Sequence, residues 1–121
     1  MTDTTVTDLV DRYIATWNET DAARRLALVE RTWTNAGAYL DPLMQAAGPE
    51  AISAMVGGVQ ARFPEARMTR TSDVDAHHDR VRFSWSLGPD DGAPIVGGLD
   101  VGVVTAGKLE AITGFIDSVP G

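Results

Sequence analysis

A chain of 121 residues, 44% apolar and 22% charged, has room for one well-buried core, and residues 1–121 are read as a single domain. Ten basic against 17 acidic residues give a net charge of −7, which excludes the basic face that nucleic acid or an anionic membrane surface would need. Cysteine is absent, so disulfides and thiolate metal sites are excluded; without a signal-like N-terminus or an apolar run of about 20 residues, a cytoplasmic protein is expected.

The first element is a helix over residues 5–20. Val6, Leu9, Val10, Tyr13, Ile14 and Trp17 fall on one stripe, Asp8, Asp11, Arg12 and Asn18 lie off it, and Thr5 is placed to cap it. A second helix starts at Asp21, a good N-cap, carries Leu26, Val29 and Trp33 inward, and is ended by "TNAG" (34–37). "GAYLDPL" (37–43) reads as a short strand closed by Pro42. "GPEAISAMVGGVQARF" (48–63) makes a third helix, with Pro49 in its first turn and Ile52, Met55, Val56, Val59 and Phe63 on its stripe. Gly57 and Gly58 weaken that helix, so packing holds it or something approaches its backbone closely.

From Pro64 onward the pattern is that of strands. Residues 66–74 alternate loosely and "DAHHD" (75–79) turns. Val81, Phe83, Trp85 and Leu87 then alternate with Arg80, Arg82, Ser84 and Ser86. "GPDDGAP" (88–94) is a long hairpin loop, 95–105 a strand, "AGK" (106–108) a turn, and 109–117 the last strand. Short loops between successive strands imply an antiparallel sheet. The fold class is therefore α+β, with three N-terminal helices packed on one face of a bent antiparallel sheet.

Two carboxylates call for a reason. Asp100 sits in "IVGGLDVGVV" and shares its face with Val96, Gly98, Gly102 and Val104. The two glycines beside it leave an open space above it, and no basic residue in the run pairs with it. Such an acid, once desolvated, has its pKa raised. The competing reading is a bulge or edge strand where the acid reaches water. Asp41 shares a face with Tyr39, and Pro42 behind it keeps it extended at the strand's end. It is either a partly solvated pocket group or an ordinary turn starter.

Two carboxyls in unlike environments are the pattern for separate base and acid roles. Here the residues themselves resemble a known family. "DRYIATWNETD", "YLDP", "GPEAI", "GLDV" and "KLEAITGF" together are similar to the nuclear transport factor 2-like superfamily, which holds the ketosteroid isomerases and the SnoaL-like polyketide cyclases. The resemblance spans nearly the whole chain. It implies a cone formed by a strongly curved sheet around a central apolar pocket. It places Tyr13, Asp41 and Asp100 in the site, with Asp41 as general base and Tyr13 with a protonated Asp100 as donors to an enolate oxygen. Read locally, Tyr13 is equally a buried tyrosine between Leu9 and Trp17.

The resemblance further implies an apolar steroid-like or polyketide-like substrate, contacted by Trp17, Val56, Phe63, Gly98 and Phe115, and a homodimer formed through the sheet. A binding module, or an oligomerisation domain with an apolar surface on Phe83 and Trp85, are the other readings. Epoxide-hydrolase-like members carry an arginine two residues before the late aspartate, a place held here by Gly98. His77 and His78 belong to a solvated turn; with no further histidine in the chain, no metal is expected. No cofactor is expected either, since "GGVQAR" lacks the lysine of a phosphate loop and no dinucleotide fingerprint is present.

Overall fold

The structure, a computed structural model, describes residues 4–118. Its elements run α1 (Thr4–Asn18), α2 (Ala22–Thr32), β1 (Trp33–Leu40), β2 (Gln45–Ala47), α3 (Pro49–Arg62), β3 (Arg67–Arg70), β4 (Asp75–His77), β5 (Arg80–Gly88), β6 (Val96–Thr105) and β7 (Lys108–Ser118). This is the α+β arrangement expected, three helices laid on one mostly antiparallel sheet of order β2-β1-β7-β6-β5-β3, with β4 paired to the start of β5. The sheet stays open at its two edges. No helix among the described residues is long and apolar enough to cross a membrane.

The helix α1 forms as its periodicity predicts, with Leu9, Val10, Tyr13, Ile14 and Trp17 all buried. Thr5 lies within it rather than capping it. Asp21 caps α2 by accepting a hydrogen bond from Arg24 N at 3.0 Å. That bond favours the carboxylate and lowers its pKa.

The end of α2 departs from expectation. Helix geometry stops at Thr32, and Trp33 is already extended at φ −111° and ψ 151°. The cause is packing: the buried indole of Trp33 lies against Gly37, 2.6 Å from where a Cβ would stand. "TNAG" is therefore an irregular stretch of β1, where the pairing with β7 slips between Trp33 and Ala38.

Three further corrections follow from pairing. The strand of "GAYLDPL" ends at Leu40, and Asp41–Met44 is a turn into β2, closed by Asp41 N donating to Met44 O at 3.0 Å. β1 and β7 run parallel, the exception in an otherwise antiparallel sheet. The single strand read over 66–74 is broken: β3 pairs with the end of β5, while part of "DAHHD" is β4 and pairs with its beginning.

The β6–β7 turn needs two positive φ angles, which Ala106 (52°) and Gly107 (80°) supply. Register slips at Gly97/Gly98 and Val103/Val104 mark bulges in the β6–β7 pair. Bulges bend a strand and raise its twist, so they curve this sheet around the helices. Its concave face carries Val81, Phe83, Trp85, Leu87 and Ile112 into the same core as α1 and α3. Phe83 and Trp85 are thus interior, and no shared outer surface can be built on them.

Candidate functional site

Asp100 stands at the centre of the concave face, opposite Phe83 on β5 and Gly114 on β7. It is 1% exposed. The open space expected above it is filled. The Trp85 indole covers Gly98, with a ring carbon 2.6 Å from where a Cβ would be, and Val81 and Ile112 close over Gly102. Only glycine at 98 lets the indole lie flat enough for its Nε1 to donate to Asp100 Oδ1 at 2.9 Å. From the helix side Tyr13 Oη donates to Asp100 Oδ2 at 2.7 Å. Burial pushes the Asp100 pKa up to about 6, against the pull of these two hydrogen bonds and with a smaller push from the Asp41 charge. Tyr13 is raised well above the ordinary tyrosine value, by burial and then by the Asp100 charge, so it stays a donor.

Asp41 is held differently. Its Oδ1 accepts from Leu43 N at 2.7 Å and Met44 N at 3.0 Å, which makes the turn, and its Oδ2 accepts from Tyr39 Oη at 2.7 Å. The two local readings of Asp41 therefore coincide: it starts a turn, and it also faces a cavity. Three of roughly four carboxylate lone-pair sites are filled, leaving one on Oδ2. Tyr39 is raised far above its ordinary range, first by burial, then by the Asp100 charge and the hydrogen bond to Asp41.

Gly114 joins the two acids. A Cβ there would lie 2.9 Å from Asp100 Oδ1, 3.2 Å from Asp41 Cβ and 3.5 Å from Tyr39 Oη. It lies between the Asp100 carboxyl and the base of the Asp41 side chain. Sequence reasoning missed Gly114 and the donor roles of Tyr39 and Trp85. The available signals were a glycine inside an apolar strand and a tyrosine two residues before Asp41 on the same face.

A cavity of about 600 Å³ opens beside this pair. Met55, Gly58, Val59 and Phe63 of the α3 side form one wall; Met68, Trp85, Leu87 and Ile116 form the sheet wall; Trp17 and Tyr39 lie between. Asp41 and Arg62 are the charged residues on it, and Leu43 and Met44 of the Asp41 turn reach its edge. The size and apolar lining suit one small apolar ligand.

Of the residues singled out in the sequence, Asp41, Trp17 and Phe63 line this cavity. Tyr13 and Asp100 meet each other directly behind its wall. Val56 faces the core, Gly98 lies under Trp85, and Phe115 points to the opposite face of the sheet at 53% exposure, because β7 alternates and Gly114 takes the inward place. Those three do not reach the cavity. His77 and His78 are exposed with ring Nδ1 atoms 3.1 Å apart, and no cluster of three or more metal-binding side chains occurs among the described residues.

No family model matches the sequence, and no curated protein matches it. Solved structures do. A polyketide cyclase candidate from Sinorhizobium meliloti superposes with a TM-score of 0.70 at 12% identity, over 88% of this chain and 93% of its own. A ketosteroid isomerase candidate from Kribbella flavida superposes with a TM-score of 0.69 at 16% identity, over 94% and 78%. These two show the shared fold. A candidate isomerase of the SnoaL-like family from Agrobacterium tumefaciens is far nearer, with a TM-score of 0.90 and 36% identity over 96% of this chain and 100% of its own. At that identity over nearly all of this chain and the whole of the other, the chain belongs to the SnoaL-like family, within the nuclear transport factor 2-like fold.

Proposed function

We propose that the protein is an enzyme of the ketosteroid isomerase type, moving a proton next to the carbonyl of an apolar steroid-like or polyketide-like compound. The observation that carries this reading is Asp41: a carboxylate fixed by three hydrogen bonds, with one lone pair unfilled, on the wall of an apolar cavity. A general base must be held still and face the substrate; three hydrogen bonds hold Asp41, and it forms part of the cavity wall. The description of the Agrobacterium relative as a candidate isomerase agrees with it.

In this reading Asp41 Oδ2 takes the proton from carbon. Tyr39 holds the same oxygen, so its hydrogen bond weakens as the carboxylate is neutralised, which favours giving the proton back. The enolate oxygen takes hydrogen bonds from Asp100 and Tyr13. Asp100 donates only when protonated. With a pKa of about 6 it is roughly one-tenth protonated at pH 7, a cost of about 1.4 kcal/mol. Trp85 must also swing off Asp100 Oδ1, and Tyr13 must turn its one O–H away from Asp100 Oδ2, before both can serve a substrate oxygen. These bonds otherwise engage both oxygens of Asp100 and the Tyr13 proton.

That engagement favours a second reading, in which the cavity holds a small apolar ligand without turnover. One experiment separates them. Turnover of a β,γ-unsaturated ketosteroid is followed for wild type and Asp41→Asn, together with binding of a phenolic enolate mimic read by thermal shift. The enzyme reading expects kcat/KM to fall at least ~100-fold in Asp41→Asn while the phenol still binds. Binding without turnover in wild type would establish the second reading; equal turnover in the mutant would remove Asp41 as base.

A homodimer through the outer sheet face completes the proposal. Phe115 is cross-strand partner of Leu99, Thr113 of Val101 and Ala111 of Val103. Together they make a mostly apolar surface, on the side away from the helices, suited to a second copy.

A further inference from the structure

Arg25 is only 8% exposed, yet the ion pairs among the described residues involve Arg67, Arg70, Arg80 and Arg82 and leave it without a carboxylate in direct contact, although the Asp21 charge acts on it from farther off. A buried cation is costly unless its donors are satisfied or a counter-ion is at hand. Two of its three nitrogens are satisfied. Nε donates to Ser53 O at 3.1 Å and Ser53 Oγ at 3.2 Å; Nη1 donates to Gln60 Oε1 at 2.9 Å and Glu19 O at 3.2 Å. These bonds fix the guanidinium between the end of α1 and α3.

Nη2 is left over. It makes no hydrogen bond within the described residues, is not sealed from solvent, and lies above Gly57, 2.8 Å from where a Cβ would stand. That explains one of the two glycines that weaken α3. Both residues form the wall of a cleft of about 520 Å³ that also presents Thr20, Gln60, Glu65 and Arg67. Arg67 is held only by a 3.5 Å contact to Asp90, exposed at both ends. Two guanidinium groups and one carboxylate, Glu65, thus line the cleft, while Asp90 and Asp21 act on Arg67 and Arg25 without lining it, in a chain whose net charge is −7.

We propose that this cleft binds a phosphate group, received by Nη2 of Arg25 at its floor with Arg67 at its rim. Phosphate fits better than carboxylate. A carboxylate is best met by two parallel N–H groups of one guanidinium, and Arg25 has committed Nε and Nη1 elsewhere. A tetrahedral phosphate takes single donors from several directions. The site is separate from the Asp41 cavity, although Trp17 and Phe63 form walls of both.

The test is thermal unfolding of wild type, Gly57→Ala and Arg67→Ala against inorganic phosphate, glycerol phosphate and acetate, with chloride matching the ionic strength. Ligand that binds the native state raises Tm in a saturable way. Wild type should respond to at least one phosphate probe beyond the chloride control, and the tighter probe identifies a free anion or a monoester as the natural occupant. Gly57→Ala keeps the helix and puts a methyl group against Nη2, so the apparent Kd should rise about tenfold or more (about 1.4 kcal/mol); Arg67→Ala should raise it less. No response in wild type, an unchanged response in both variants, or acetate binding as tightly as phosphate each overturns the proposal. Filling the apolar cavity with Val59→Trp should leave the phosphate response intact, which keeps this result independent of the Asp41 reading.

Discussion

Asp41 and Asp100 lie on either side of one glycine, yet Asp100 is sealed in the core while Asp41 forms part of a cavity wall. Asp100 has a native pKa of about 6 against an ordinary value of 3.8. The folded chain therefore holds this proton more tightly than the unfolded chain. The resulting stabilisation is complete below about pH 4 and is lost as pH rises through about 6, on the order of 3 kcal/mol. Urea unfolding of wild type should show that loss between pH 4 and pH 6.5, and Asp100→Asn should flatten it. Parallel curves for the two proteins would mean that burial does not perturb this acid. Its burial was one of the two readings the sequence left open, carried by an aspartate inside an apolar run, the other being a bulge or edge strand where the acid reaches water. The family resemblance put Tyr13 in one site with it, but the two hydrogen bonds were not legible: Tyr13 and Trp85 sit 87 and 15 residues away, and nothing local in either marks it as a donor to this acid.

Elements were legible where their own period decides them. The stripes of α1 and α3 and the alternation of β5 are set by burial of one face, so they can be read residue by residue. What escaped depends on partners distant in sequence. Trp33 continues a helical pattern, but its indole is better buried against Gly37 in an extended chain. The parallel β1–β7 pair joins two strands that no hairpin connects. Glycines in β6 and β7 are likewise chosen by what crosses them. At Gly98 a Cβ would stand 2.2 Å from Phe115 O on β7 as well as against the Trp85 ring. The backbone contact cannot be relieved by a rotamer, so the strands themselves must part. Gly98→Ala should cost about 3 kcal/mol or more, at the upper end for overpacking, measured as a fall in the urea midpoint. A loss within a few tenths of a kcal/mol would show that β6 and β7 give way easily at this bulge.

For the whole molecule, the surface suited to a second copy is the convex side of the sheet. Phe115 is its exposed aromatic, and in a two-fold dimer each substitution is placed twice in the same interface. Phe115→Glu should therefore weaken self-association at least about a hundredfold, or about 2.7 kcal/mol, in sedimentation at varied concentration. The isolated fold should survive, since that side chain is 53% exposed on the face away from the helices. A wild type that sediments as a monomer throughout would end the dimer proposal. The same view of the whole bears on how the chain is made. Leu40 pairs with Thr113, about 70 residues later, and at ~5–20 residues per second β1 waits several seconds for its broad neighbour. Until β7 emerges, Trp33, Tyr39 and the stripe of α1 have only part of the surface that finally covers them. The order in which these two parallel strands leave the ribosome thus sets how long that apolar surface stays part-covered in the growing chain.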